Sequence, residues 1–108
     1  HEDSTYNLGA LIIEGSLDGG DRPVVIDGQL KGDVIAIDFI IREQGRVTGS
    51  VKAKTVVING QFNGNLICES LNVTATGIVE GEVQANALSI DLGAEVIGSI
   101  SRVNAKSK

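Results

Sequence analysis

The chain has no tryptophan and no methionine, and aromatic residues make up only 3% of it. A broad globular core usually draws its bulk from aromatic side chains. Here the interior has to be built from Val, Ile, Leu and Ala, which suits a thin core. One cysteine, Cys68, excludes an intrachain disulfide framework and fits a reducing compartment. One histidine, His1, stands at the very start, so neither a hydrolase triad nor a typical zinc site is expected. Lys and Arg number only 9 against 14 Asp and Glu, a net charge of −5. That balance lacks the basic footprint of a nucleic-acid binder and disfavours electrostatic docking on anionic lipid. No apolar run reaches membrane-spanning length, and no signal-peptide pattern is present. Because the sequence opens on His1 and not on methionine, residues ahead of it are expected.

What the chain does have is glycine, 14 of them against a single proline. They are too regularly spaced for a disordered chain. Aligned on them, the sequence shows six copies of one phrase. These are Gly15-Ser-Leu17-Asp-Gly19, Gly28-Gln-Leu30-Lys-Gly32, Gly45-Arg-Val47-Thr-Gly49, Gly60-Gln-Phe62-Asn-Gly64, Gly77-Ile-Val79-Glu-Gly81 and Ala94-Glu-Val96-Ile-Gly98. Successive copies start 13, 17, 15, 17 and 17 residues apart. An extra pair of residues precedes Gly45, Gly77 and Ala94, while the first unit reads as shortened around Pro23. A two-residue change keeps the in/out phase of a strand, whereas one residue would flip every side chain.

Columns follow the glycines: Val34, Val51, Leu66, Val83 and Ile100; Ala36, Ala53, Cys68, Ala85 and, breaking the apolar run, Arg102; Phe39, Val56, Leu71 and Leu88; Ile41, Ile58, Val73 and Ile90. In "VVINGQFNGNLIC" the alternation puts Val56, Ile58, Gly60, Phe62, Gly64, Leu66 and Cys68 on one face. Period two signals strands with one buried face. Glycine on that face marks a sharp bend around a narrow core, where an inward side chain has no space and unusual dihedrals are needed. The phase slips once more between Ala53 and Val56, which makes a third corner. Three corners in about 15 residues, at ~3.3 Å each, describe a triangle with sides of about 17 Å. Stacked ~4.8 Å apart, six such turns form a rod about 29 Å long. The expected fold is all-β: a single-stranded parallel β-helix, a triangular solenoid of about six turns. Its hand does not follow from the pattern.

Candidate chemistry is sparse. Gly19-Gly20 is followed by Asp21-Arg22 with no lysine–hydroxyl pair, so no phosphate cradle is expected. Cys68 sits in the alanine column, which favours a small core residue over a nucleophile. Glu80 with Glu82, and Asp91 with Glu95, flank corners on the outward phase, where acidic residues are usually a solvated face. Arg22 before Pro23 reads as a surface turn ahead of an anion site. Thr48, Thr55, Thr74 and Thr76 form no regular ladder, which weakens an ice-binding reading. No catalytic, cofactor-binding or metal-binding residues are therefore assigned. The ends of the rod are the remaining candidate site. The first turn offers Leu8, Leu11 and Ile13 and the last offers Val96, Ile100 and Val103, all able to stack on another copy.

The segments "IDGQLKGDV", "GRVTGSVKAKTVVINGQFNGNL" and "GIVEGEVQANALSIDLGAEVIGSI" together resemble a bactofilin domain over residues 8–103, with short disordered tails at 1–7 and 104–108. The resemblance implies a right-handed triangular β-helix that self-assembles end to end, without nucleotide, into bacterial cytoskeletal filaments. It implies service in cell shape or in localising cell-wall enzymes and polar proteins. It also implies a cytoplasmic place, at the inner face of the membrane in those members that carry a membrane-targeting N-terminal segment. "HEDSTYN" is polar and acidic and makes a poor anchor of that kind. The rival readings are a β-helical enzyme, either an acyltransferase or a polysaccharide-active protein, and a monomeric ligand-binding solenoid. An acyltransferase coil repeats in hexapeptides, and no six-residue phase persists here.

Overall fold

The computed structural model of the chain describes residues 6–8 and 12–101, with side chains from Glu14 onward. The described residues form strands joined by tight corners, with no helix. Long strands of seven residues alternate with short ones. The long strands are β2 (Ile12–Asp18), β4 (Gln29–Ile35), β6 (Arg46–Lys52), β8 (Gln61–Ile67), β10 (Ile78–Gln84) and β12 (Glu95–Ser101). The short strands are β1 (Tyr6–Leu8), β3 (Val24–Ile26), β5 (Asp38–Ile41), β7 (Thr55–Ile58), β9 (Ser70–Val73) and β11 (Ala87–Ile90). Every pairing is parallel. The short strands stack in one sheet in the order β1-β3-β5-β7-β9-β11, and the long ones in another, β12-β10-β8-β6-β4-β2. Each strand therefore neighbours the equivalent strand of the next coil, the signature of a parallel solenoid.

Every long strand is bent at its fourth residue. Gly15, Gly32, Gly49, Gly64, Gly81 and Gly98 stack in register there, with φ between +122° and +140°. One long strand thus covers two sides of the triangle and the following short strand covers the third. Burial keeps strict alternation on both sides of the bend, with Leu30 and Val34, Val47 and Val51, Phe62 and Leu66, and Val79 and Val83 buried. Phe39, Val56 and Leu71, then Ile41, Ile58 and Val73, close the core from the short strands. Among the described residues no polar or charged residue is buried. Ala36, Cys68 and Ala85 fill the third corner, where the side chain must be small.

The other repeated glycine has a different reason. A Cβ on Gly45 would meet the Ile26 carbonyl oxygen at the end of β3, and one on Gly60 the Arg42 carbonyl oxygen in the corner after β5, with no left-handed dihedral involved. Both glycine types thus make room for backbone as well as for the core. The corner before Gly60 is two residues shorter than those around it, and the longer corner above is clipped onto it. Thr74 Oγ1 donates to Asn59 Oδ1 and Thr76 Oγ1 donates to the Asn59 carbonyl, both at 2.7 Å.

Three expectations need correction. The six stacked glycines enclose about five complete turns, not six. The first turn is also not shortened. Gly15 pairs with Gly32 and Leu17 with Val34, so Gly15 is the second glycine of its phrase, not the first. Gly19 then falls beside Ala36 in the alanine column: its N–H donates to the Ile35 carbonyl at 2.8 Å, and a Cβ on it would meet Ala36. The bend glycines recur after 17, 17, 15, 17 and 17 residues. The extra pair in the first turn sits in the Gly20–Pro23 corner, which carries a bend hydrogen bond from Arg22 N–H to the Gly19 carbonyl at 3.1 Å. β1 begins at Tyr6, so Tyr6 and Asn7, expected in the N-terminal tail, belong to the first short strand.

Candidate assembly interface at the ends of the coil

β11 and β12 end their sheets, and their outer backbone edges pair with no described strand. Their inward positions continue the core columns. Leu88 stands in register with Leu71, Ile90 with Val73, Val96 with Val79 and Ile100 with Val83. The lower member of each pair is at most 2% exposed. In the last layer Leu88 is 41%, Ile90 44% and Ile100 41% exposed, while Val96 stays half-buried against the core. The jump has one cause: each layer is covered by the layer above, and among the described residues nothing covers this one. The result is an apolar end with free strand donors and acceptors around it. A second coil end laid on it would bury aliphatic surface worth on the order of 1 kcal/mol per half-exposed side chain and continue the backbone ladder.

Of the residues expected at the ends, Val96 and Ile100 lie in this layer. Leu88 and Ile90 belong to it too, although the sequence pattern places them only in core columns. Their position was legible, since they are the last members of those columns. At the other end, Leu8 pairs with Ile26 and Ile13 with Leu30, which places both on core columns of the first layers. Leu11 and Val103 lie outside the described residues.

The remaining candidates do not assemble into a reaction centre. Cys68 is 2% exposed, and burial pushes its thiol up from 9.0 to about 11, away from a thiolate nucleophile. Glu80 and Glu82 sit on either side of Gly81 as exposed outward residues, and Asp91 and Glu95 are likewise exposed. Among the described residues no group of three or more His, Cys, Asp or Glu side chains could hold a metal ion. The polar depression at the corner before Gly45 is lined by Asp27, Arg42, Glu43, Gln44 and Asn59, with Arg42 Nε 3.4 Å from Asp27 Oδ1. That pair bridges adjacent turns with Arg42 exposed and Asp27 only half-buried, so it contributes little to stability. No described helix is long and apolar enough to cross a membrane.

A parallel β-solenoid with an apolar, unpaired end is by geometry a stackable subunit, and this defines the class of the protein. The chain belongs to the bactofilin family, whose model, described as polymer-forming cytoskeletal, matches residues 9–101. It is thus a structural protein of a polymer-forming cytoskeletal family. Two solved structures agree. The bactofilin of Thermus thermophilus in its double helical filaments, seen by cryo-EM, has a TM-score of 0.71 and 26% identity, covering 89% of this chain and 98% of that one. The crystal structure of a point mutant of that bactofilin has a TM-score of 0.70 and 27% identity, covering 82% and 99%. No curated protein matches the chain.

Proposed function

We propose that this chain polymerises by stacking coil end on coil end, without nucleotide, into filaments that scaffold cell shape or localise cell-wall and polar proteins. The observation that carries the reading is the exposed last layer of Leu88, Ile90 and Ile100, whose partners one layer below are buried. Like ends meeting is the favoured arrangement, since an apolar layer is its own best partner and surface charge is screened within ~8 Å at physiological salt. The Thermus bactofilin forms double helical filaments, and paired filaments are the corresponding reading here. Attachment to the inner face of a membrane, if made, belongs to residues outside the coil. Among the described residues the carboxylates and Cys68 form no constellation that favours the enzyme reading.

The test is electron microscopy of the purified chain, with and without ATP or GTP and magnesium, at matched ionic strength. Filaments of equal mass in all conditions support the reading. Discrete trimers or stable monomers at every concentration overturn it.

A further inference from the structure

The three sides of the coil differ in how they carry charge. On the side formed by the short strands, Asp38 is the only charged residue among the described outward positions. On the side after the glycine bend, charges of both signs are interspersed. The side before the bend separates them along the rod between β4 and β12. From β4 upward, Lys31 on β4 and Arg46 on β6 are basic, β8 presents only Gln61 and Asn63, and Glu80 on β10 and Glu95 on β12 are acidic; Glu14 on β2, in register with Lys31, is a further acidic residue at the far end of this side and falls beyond the partner's last strand in the pairing below. All five charged residues of this side, Glu14 included, are exposed. Neither Lys31 nor Arg46 has an ion-pair partner among the described residues, where the pair of Arg42 with Asp27 is at the neighbouring corner.

From this separation we infer that the side before the bend is a lateral contact for a second copy of this chain, running antiparallel, with its dyad across β8. The inference rests on the filament reading above and names the surface that pairs two filaments. A two-fold axis lying along β8 reverses the rod direction and keeps position along the strand. It sets β6 against the partner's β10 and β4 against the partner's β12. Arg46 then faces the partner subunit's Ile78, with the partner subunit's Glu80 two residues along, about 7 Å away. Lys31 faces the partner subunit's Ile97, with the partner subunit's Glu95 at the same offset. Both basic side chains are long enough to lay their aliphatic stems on the isoleucine and set the charge on the carboxylate. This gives the 52%-exposed Ile97, an apolar residue on an outward column, something to pack against. A parallel arrangement about the rod axis would instead oppose like charges at the same height.

The patch is small, and its contacts are partly exposed, so a single pair of subunits associates weakly. Repetition along two polymers multiplies the contact. Pairing therefore depends on polymerisation and on salt, because screening shortens to ~3 Å at 1 M.

The experiment measures filament width by electron microscopy, at low salt and at ~1 M salt, for the wild type and three charge variants. These are Lys31→Glu with Arg46→Glu, Glu80→Lys with Glu95→Lys, and all four together. All are exposed outward positions, and unchanged β-sheet circular dichroism checks the fold. Wild type is expected to form paired filaments at low salt and single ones at high salt. Each double variant is expected to lose pairing while keeping filament length, and the quadruple swap to regain it. Paired filaments in every variant, single wild-type filaments at low salt, or a swap that fails to rescue would overturn this inference and leave end stacking intact. A wild type that forms no filaments at any salt would overturn the end-stacking reading and this inference with it.

Discussion

Gly49 is stacked on Gly32 so closely that a Cβ on Gly49 would run into the Gly32 carbonyl oxygen, far inside van der Waals contact. The same residue has φ +134°, a dihedral that side chains disfavour. Two independent penalties therefore meet at one atom. Gly15 separates them: its φ is +122°, yet a Cβ there would meet nothing within 4 Å. Gly49→Ala is expected to cost more than ~4 kcal/mol and to abolish cooperative folding. Gly15→Ala should cost only the dihedral strain, about 1–3 kcal/mol. Thermal unfolding followed by circular dichroism measures both, and equal losses at the two sites would refute the stacked-backbone account.

Ile100→Arg and Ile90→Arg each place a charge in the last apolar layer. Stacking would bury that charge unpaired, at a cost of several kcal/mol, while the unstacked coil keeps it in water. Both variants should stay folded and lose long filaments. If like ends meet, the other end still joins and the variants stop at dimers. If unlike ends meet, they remain monomers. Ile35→Arg, at a 55%-exposed lateral position, should leave filament length unchanged. Sedimentation velocity with electron microscopy reads all three, and long filaments from the end variants would sink end stacking.

Cys68 should resist alkylation under native conditions at pH 8, because it is 2% exposed and held as the thiol. The pH dependence has a definite sign. The unfolded thiol loses its proton from about pH 9, whereas the folded one keeps it to about 11. The unfolded state therefore binds fewer protons in that window, and stability falls as pH rises through it. Cys68→Ala should fold and assemble, as its column tolerates Ala36 and Ala85. It should also remove this part of the alkaline loss, measured by comparing urea midpoints of the two proteins at pH 8 and 10.5. An identical slope in both would reject the assignment.

Phe62 and Phe39 are the largest fully buried side chains, and each fills space that valine occupies in neighbouring turns. Phe62→Ala should cost about 3–5 kcal/mol, the usual range for emptying an aromatic site in a core that cannot collapse. Phe62→Val should cost less, since Val47 and Val79 sit directly below and above it. Chemical denaturation gives both values, and a valine variant as unstable as the alanine one would contradict the layered picture.

Sequence alone determined the coil, because a solenoid writes each layer into a local stretch. Alternation around Phe62, the glycine bends and the small residues at Ala53 and Cys68 all report contacts made at nearly constant spacing. The exposure of the last described layer followed partly from the same columns, whose last members are Leu88, Ile90 and Ile100. What the tertiary structure decided was register and count. Gly15-Ser-Leu-Asp-Gly19 matches the repeated phrase locally, and nothing within it reveals that Gly15 is the second glycine. That is settled by the hydrogen-bonded ladder to β4, 17 residues away, which sets Gly15 on Gly32 and drops Gly19 into the alanine column. The outward charges of Lys31, Arg46, Glu80 and Glu95 were visible as letters from the start. Their alignment along one side of the triangle exists only once strands far apart in the chain are stacked, since parallel pairing, not chain proximity, brings those residues into line.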